Sequence, residues 1–127
     1  MITLVLPLPP TINHYYGQTR SGRRYIKAAG IAFRSKVAEV VSDAGHATLE
    51  GRVSMFVSVF LATKRRQDID NRIKALQDAL THAGVWLDDE QIDDLHIVRG
   101  CVYKGGKTIV VITELPAAKQ KPLISSS

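Results

Sequence analysis

The sequence predicts a small α/β domain of the α+β kind: a mixed β-sheet covered by two helices, with elements in the order β-α-β-α-β-β. Three observations lead there. At 127 residues the chain is long enough for one hydrophobic core and too short for two ordinary domains. Its hydrophobic content of 45% and charged content of 23% are globular values. Runs rich in β-formers and stretches of helical spacing alternate along the chain, and two strands follow the last helix. The domain is placed at residues 1–115, and residues 116–127 form a tail without periodicity, expected to be mobile.

Taken in order, Ile2 to Leu6 reads as a short strand, closed by Pro7-Leu8-Pro9-Pro10, whose prolines cannot donate to a ladder. Thr11 to Arg24 reads as a polar loop mixing tyrosines with Arg20, Arg23 and Arg24. From Lys27 to about Ala44, Phe33, Val37, Val40, Val41 and Ala44 recur at helical spacing, and Gly45 ends the helix. Val53 to Leu61 alternates serines with valines and Met55, as a central strand does. Asp70 or Asn71 can cap a second helix that buries Ile73, Leu76, Leu80 and Ala83 and stops at Gly84. Ile92 to Val102 gives the third strand, with Cys101 inside it as a small core or edge residue. Lys104-Gly105-Gly106-Lys107 then reads as a hairpin turn leading to Thr108–Leu115.

Charge is distributed unevenly over these elements. Between Asp68 and Asp94 stand two bases, Arg72 and Lys74, against eight acids, a balance of −6; the remaining residues hold 15 bases and 4 acids, or +11. A chain that is basic almost everywhere and gathers its acids in one island suits a protein that grips a polyanion while holding a cation against it. Asp68 and Asp70 lie two apart, which in extended backbone sends both side chains to one side. Two such carboxylates repel each other and invite a divalent cation. Lys74 falls one helical turn beyond Asp70, within reach of a bound phosphate or of an ion pair with Asp70 or Asp78. Val85-Trp86-Leu87 would pin the backbone just before Asp88, Asp89 and Glu90.

These residue types suit a hard cation such as Mg²⁺ or Mn²⁺. Asp68, Asp70 and one acid of the Asp88–Asp89 pair would hold it, and Lys74 would neutralise an attacked phosphate, an arrangement fit for phosphodiester hydrolysis. A structural Ca²⁺ site or a solvated acidic face fits the same residues. Tyr15 and its neighbours can stack on bases beside the arginines. Arg20, Arg23, Arg24, Lys64, Arg65, Arg66, Lys104 and Lys107 are the candidate phosphate contacts. Other classes fit poorly. The apolar runs are too short for a membrane span, and Met1 to Pro10 lacks the basic start of a signal peptide. The lone Cys101 cannot close an internal disulfide and suits a reducing cytoplasm. Scattered histidines match no zinc spacing.

Three segments together resemble the RusA family of Holliday junction resolvases of bacteria and their phages: P-L-P-P-T-I-N-H-Y-Y, the block from Arg65 to Ile92, and Y-K-G-G-K-T-I-V-V-I-T-E. The resemblance implies a Mg²⁺-dependent homodimeric endonuclease that makes paired symmetrical nicks in a four-way DNA junction, in recombination and repair. It carries the essential acids onto Asp68, Asp70 and Asp89 and the catalytic lysine onto Lys74. Asp88 takes a neighbouring, supporting acidic position, and Asn13 becomes a candidate DNA or active-site contact. A two-fold symmetric dimer is also the simplest source of paired cuts in a junction with two-fold symmetry. Branched DNA and a second copy of the chain are the only partners expected; a less selective branched-DNA nuclease and a non-catalytic junction-binding protein are the competing readings.

Overall fold

The computed structural model describes residues 1–116; the tail expected at 116–127 lies, Pro116 apart, outside the described residues. Strand β4 (Val53–Phe60) is the axis of the fold. Val53, Met55, Val57 and Val59 on one of its faces are at most 1% exposed, while Ser54, Phe56, Ser58 and Phe60 turn to the other face, as a pleated strand requires. On one side β4 pairs parallel with β5 (Ile92–Arg99), and on the other antiparallel with β6 (Lys107–Glu114). β6 in turn pairs antiparallel with β1 (Ile2–Leu6), giving the sheet order β1-β6-β4-β5.

Two helices cover the face of the valines. α2 (Ala28–Ala44) contributes Phe33 and Val37, and α3 (Ile73–His82) contributes Ile73, Ala75, Leu76, Ala79 and Leu80. The mixed sheet under a helical layer is the architecture the sequence predicts, and α2 ends where expected, with Gly45 in the left-handed region at φ 69°. Since β4 and β5 run parallel, the chain must cross from one end of the sheet to the other between them, and α3 lies in that crossing.

Four local expectations are corrected. The Thr11–Arg24 loop contains a short helix α1 (Ile12–Tyr15) and a hairpin of β2 (Tyr16–Gln18) and β3 (Arg24–Ile26), ordered because Tyr15 is fully buried. Beneath it, a Cβ on Gly30 would come within 2.8 Å of the Tyr15 carbonyl, so glycine lets α2 approach α1. β5 and β6 do not form a hairpin. β4 lies between them, because β6 buries Thr108, Val110 and Ile112 between two neighbours whereas β5 is a largely exposed edge. Gly105 and Gly106 still adopt the positive φ their spacing suggests, closing a turn onto the Tyr103 carbonyl. β5 stops at Arg99, leaving Cys101 exposed in the connection. Finally, no side chain caps α3: Ile69–Arg72 form a 3₁₀ turn that runs into it.

The stretch between α3 and β5 is held from inside. Val85 and Trp86 are buried, and the Trp86 indole donates to Thr81 Oγ1 at 2.7 Å. Gln91, only 6% exposed, satisfies its whole amide: Nε2 donates to the carbonyls of Leu49 and Gly51 at 3.0 and 2.8 Å, and Oε1 accepts from the backbone N–H of Leu87 and Asp88 at 2.8 and 3.0 Å. Asp88 caps the 3₁₀ turn Asp89–Gln91, accepting from the Glu90 N–H. Arg52 clamps the far side, meeting the Glu90 carboxylate at 3.0 Å and Asp93 at 2.6 Å. The near-isosteric Gln91→Met strands these backbone groups, so it should cost about 2–4 kcal/mol in urea unfolding. A loss under 1 kcal/mol would mean that the amide contributes little.

Candidate active site

Lys74, Asp78, Asp88 and Asp89 line one cleft of about 470 Å³ together with Tyr16, Arg24, Tyr25 and Arg34. The elements place them: Lys74 in the first turn of α3, Asp78 one turn on, and the two acids on the pinned 3₁₀ turn before β5. Lys74 Nζ lies 4.0 Å from Asp89 Oδ2. Its partner is therefore Asp89, and not the Asp70 or Asp78 that helical spacing alone makes available. Partial burial raises the Asp89 carboxyl above its usual range, and the adjacent Asp88 carboxyl raises it further, while Lys74 pulls it down. Two carboxylates facing each other beside one ammonium are an all-oxygen donor set that a hard divalent cation fits.

Asp78 is held elsewhere. Arg34 Nη2 and Nε reach Asp78 Oδ2 at 2.6 and 3.0 Å, Arg34 Nε also lies 2.8 Å from the Tyr15 hydroxyl, and that hydroxyl donates to Asp78. Burial works against the Asp78 charge, but the hydrogen bonds from Tyr15 and Arg34 outweigh it and hold the carboxyl below its usual range. Tyr15 moves the opposite way, pushed up by burial and by its bond to Asp78. The consequence is positional: with Asp78 engaged by α2, Lys74 is left for Asp89. Sequence spacing does not reveal this triad, because Arg34 reads as one more surface charge on α2 and Tyr15 as a loop aromatic.

The remaining candidates divide into groups. Asp68 has extended backbone but Asp70 sits in the 3₁₀ turn, so the two do not share an extended strand as expected. Asp68 borders a second cleft of about 400 Å³ with Arg65, Arg66, Gln67, Asn71 and Arg72, and Asp70 is exposed on its turn. Among the described residues no three Asp, Glu, His or Cys side chains are gathered closely enough to hold one metal ion. The segment itself is tied down: Arg72 donates to the Pro9 carbonyl at 2.6 Å and to Gln67 Oε1 at 2.8 Å, and Arg99 to the Gln67 carbonyl at 2.7 Å.

Of the proposed DNA contacts, Arg24 reaches the acidic cleft, its guanidinium stacked 3.7 Å over the Tyr16 ring. Asn13 is exposed in an adjoining cleft. Arg20 and Arg23 stand on the β2–β3 turn, Lys64, Arg65 and Arg66 on the segment after β4, and Lys104 on the turn before β6, all exposed. Lys107 lies over the Tyr103 ring at 4.1 Å. Tyr15 is the exception, since it is fully buried and its hydroxyl is committed to Asp78 and Arg34. Its neighbours Tyr16 and Tyr25 present aromatic surface to the clefts instead.

The triad makes a pH-dependent prediction. A carboxyl whose folded pKa is lowered contributes stability that is complete above its unfolded value and is lost as pH falls through the folded value. Arg34→Met should therefore cost about 1–3 kcal/mol near neutral pH. In acid below the ordinary carboxyl value of about 4, the difference from wild type should shrink. Denaturant titrations of both proteins across that range check this, and a pH-independent difference would contradict it.

Comparison with known proteins agrees with the geometry. Residues 7–113 match the family described as Endodeoxyribonuclease RusA. The chain is 40% identical over 114 residues to the crossover junction endodeoxyribonuclease RusA of Escherichia coli K12, covering 89% of this chain and 94% of that one. It is equally close to the same enzyme of Shigella sonnei, and 41% identical over 116 residues to that of Enterobacteria phage 82, covering 88% and 93% of the two chains. The match takes in α3, the pinned acids and every strand of the sheet except β1 and the last residue of β6, and the chain belongs to the RusA family of endodeoxyribonucleases.

Proposed function

We propose that this protein is a divalent-metal-dependent endodeoxyribonuclease that resolves four-way DNA junctions by paired nicks, working as a homodimer with one cleft per copy. The observation that carries the reading is the contact between Lys74 and Asp89 beside Asp88, in a cleft walled by Arg24 and Arg34, in a chain that belongs to this family. Its relatives are named for cutting crossover junctions. No described helix is long and apolar enough to cross a membrane.

Asp89, with Asp88 beside it, would hold Mg²⁺ or Mn²⁺. Asp68 and Asp70, at the entrance to the helix carrying Lys74, are not gathered with this pair; we assign them to the same ion on the chemistry of their carboxylates, and the segment that carries them would have to move toward Asp89 as the ion and DNA bind. A divalent cation there supplies Lewis acidity, drawing charge from the attacked phosphate. Lys74 meets a non-bridging phosphate oxygen and offsets the charge that builds as the fifth oxygen approaches phosphorus. Arg24, at the mouth of the cleft, pairs with a flanking phosphate and sets the strand's position. Arg34 keeps Asp78 from competing for Lys74. Two such clefts related by a two-fold axis would meet the two equivalent strands of a junction.

Asp70→Asn should abolish cutting of a synthetic four-way junction in Mg²⁺ while junction binding, measured in Ca²⁺, survives; undiminished cutting would refute the role given to this acid. Lys74→Ala should slow turnover by roughly 100-fold with little change in binding, and a pure binding defect would show that the lysine grips the DNA without taking part in the chemistry. A fork and a plain duplex assayed at equal concentration test selectivity, and equal rates on duplex would end the claim of junction resolution.

A further inference from the structure

Beside the acidic cleft lies a larger one of about 640 Å³, formed between α1 and the β2–β3 hairpin. The two share Tyr16, Arg24 and Tyr25 as a common wall, so a DNA strand lying in the first passes the mouth of the second. Its lining holds the cations Arg24 and Lys27 and adds groups that a phosphate track does not need. Tyr25 is 47% exposed, Asn13 and Gln18 bring side-chain amides, that of Gln18 also donating one N–H to the Gly22 carbonyl at 3.3 Å, and Lys27 donates to the Asn13 carbonyl at 2.8 Å.

The hairpin is built to present the Tyr25 ring. Gly17 is the direct cross-strand partner of Tyr25, and a Cβ at Gly17 would lie 2.3 Å from Tyr25 Cζ. Glycine therefore lets the Tyr25 ring pack against the neighbouring strand while about half of the residue stays exposed. Tyr16 differs, because the Arg24 guanidinium already covers its face. Of the two tyrosines at this wall, Tyr25 is the more exposed. A flat, supported ring beside amide groups that both donate and accept hydrogen bonds is the chemistry that receives a nucleobase turned out of its stack. Unstacking costs least where stacking or pairing is already disturbed, and in an open four-way junction the pairs at the crossover lack a stacking neighbour on one side.

We propose that this hairpin cleft seats one unstacked base next to the crossover, with the Tyr25 ring as its stacking face and the Asn13 and Gln18 amides at its edge. The site rests on the junction-nuclease reading and deepens it: Arg24, on the shared wall, takes the phosphate between the seated base and the scissile bond. Selectivity for branched DNA then arises because continuous duplex has no base free to enter.

The experiment measures dissociation constants, in Ca²⁺ and without turnover, for a four-way junction whose nucleotides around the crossover are replaced one at a time by an abasic site. Wild-type protein should lose about tenfold in affinity at one position, as expected for removal of one stacked base. Tyr25→Ala should lose a similar factor on the intact junction and nothing more when that base is absent, whereas Tyr25→Phe should keep the wild-type pattern. The proposal is overturned if no abasic position weakens binding, or if Tyr25→Ala loses the same factor with and without the base. Wild-type protein that binds junction no tighter than duplex would instead overturn the junction reading itself, and the proposal with it.

Discussion

Like charges held side by side in a partly desolvated cleft repel one another, and this chain keeps Asp88 and Asp89 adjacent by fixing the backbone that carries them. The fixing is done with neutral and oppositely charged groups outside the cleft. Gln91 spends its buried amide on the backbone N–H groups of Leu87 and Asp88 and on the carbonyls of Leu49 and Gly51. Arg52 takes up Glu90 and Asp93, the acids that would otherwise add to the repulsion. Trp86 anchors the segment to α3 through Thr81. The unfavourable charge arrangement is thus maintained by packing and hydrogen bonds that a cation does not supply, as the proposed metal site would require before a metal arrives.

The same logic governs the cation in the cleft. A lysine on a helix surface with an aspartate four residues on would ordinarily pair along the helix. Here Asp78 is drawn across to α2 by Arg34 and Tyr15, and Lys74 turns to Asp89. A structural triad at the interface of α1, α2 and α3 therefore determines which acid the ammonium serves. It also ties the hairpin cleft to the acidic one, since Tyr15 precedes β2 directly and Tyr16 and Arg34 face the acidic cleft.

Much of this was legible in the residues. The alternation of Val53, Met55, Val57 and Val59 specifies a strand buried on one face, and Ile73, Leu76 and Leu80 specify the buried side of α3, because both patterns follow from element geometry alone. The acidic island and Lys74 stood out by composition. What stayed hidden depends on contacts distant in sequence. The partner of Lys74, the burial of Tyr15 and the intrusion of β4 between β5 and β6 are each decided by which surfaces meet in three dimensions, and local spacing carries no record of that. The glycines of the Lys104–Lys107 turn illustrate the limit: they predicted the backbone conformation correctly and the strand pairing incorrectly, since a positive φ does not specify what the following strand pairs with. For Asp68 and Asp70 the assumption of extended backbone failed, because the chain turns into a 3₁₀ helix between them.

The central claim is that Asp89 and Asp88, with Lys74 beside them, form the point to which the other acids and the DNA are brought. Paramagnetic broadening of backbone amides by Mn²⁺, recorded by NMR on the protein bound to a four-way junction, measures this directly. The account predicts strongest broadening at Asp88 and Asp89, with Lys74, Asp68 and Asp70 close behind, and its loss in Asp89→Asn. Broadening centred on a different part of the surface, or unchanged in that variant, would contradict it.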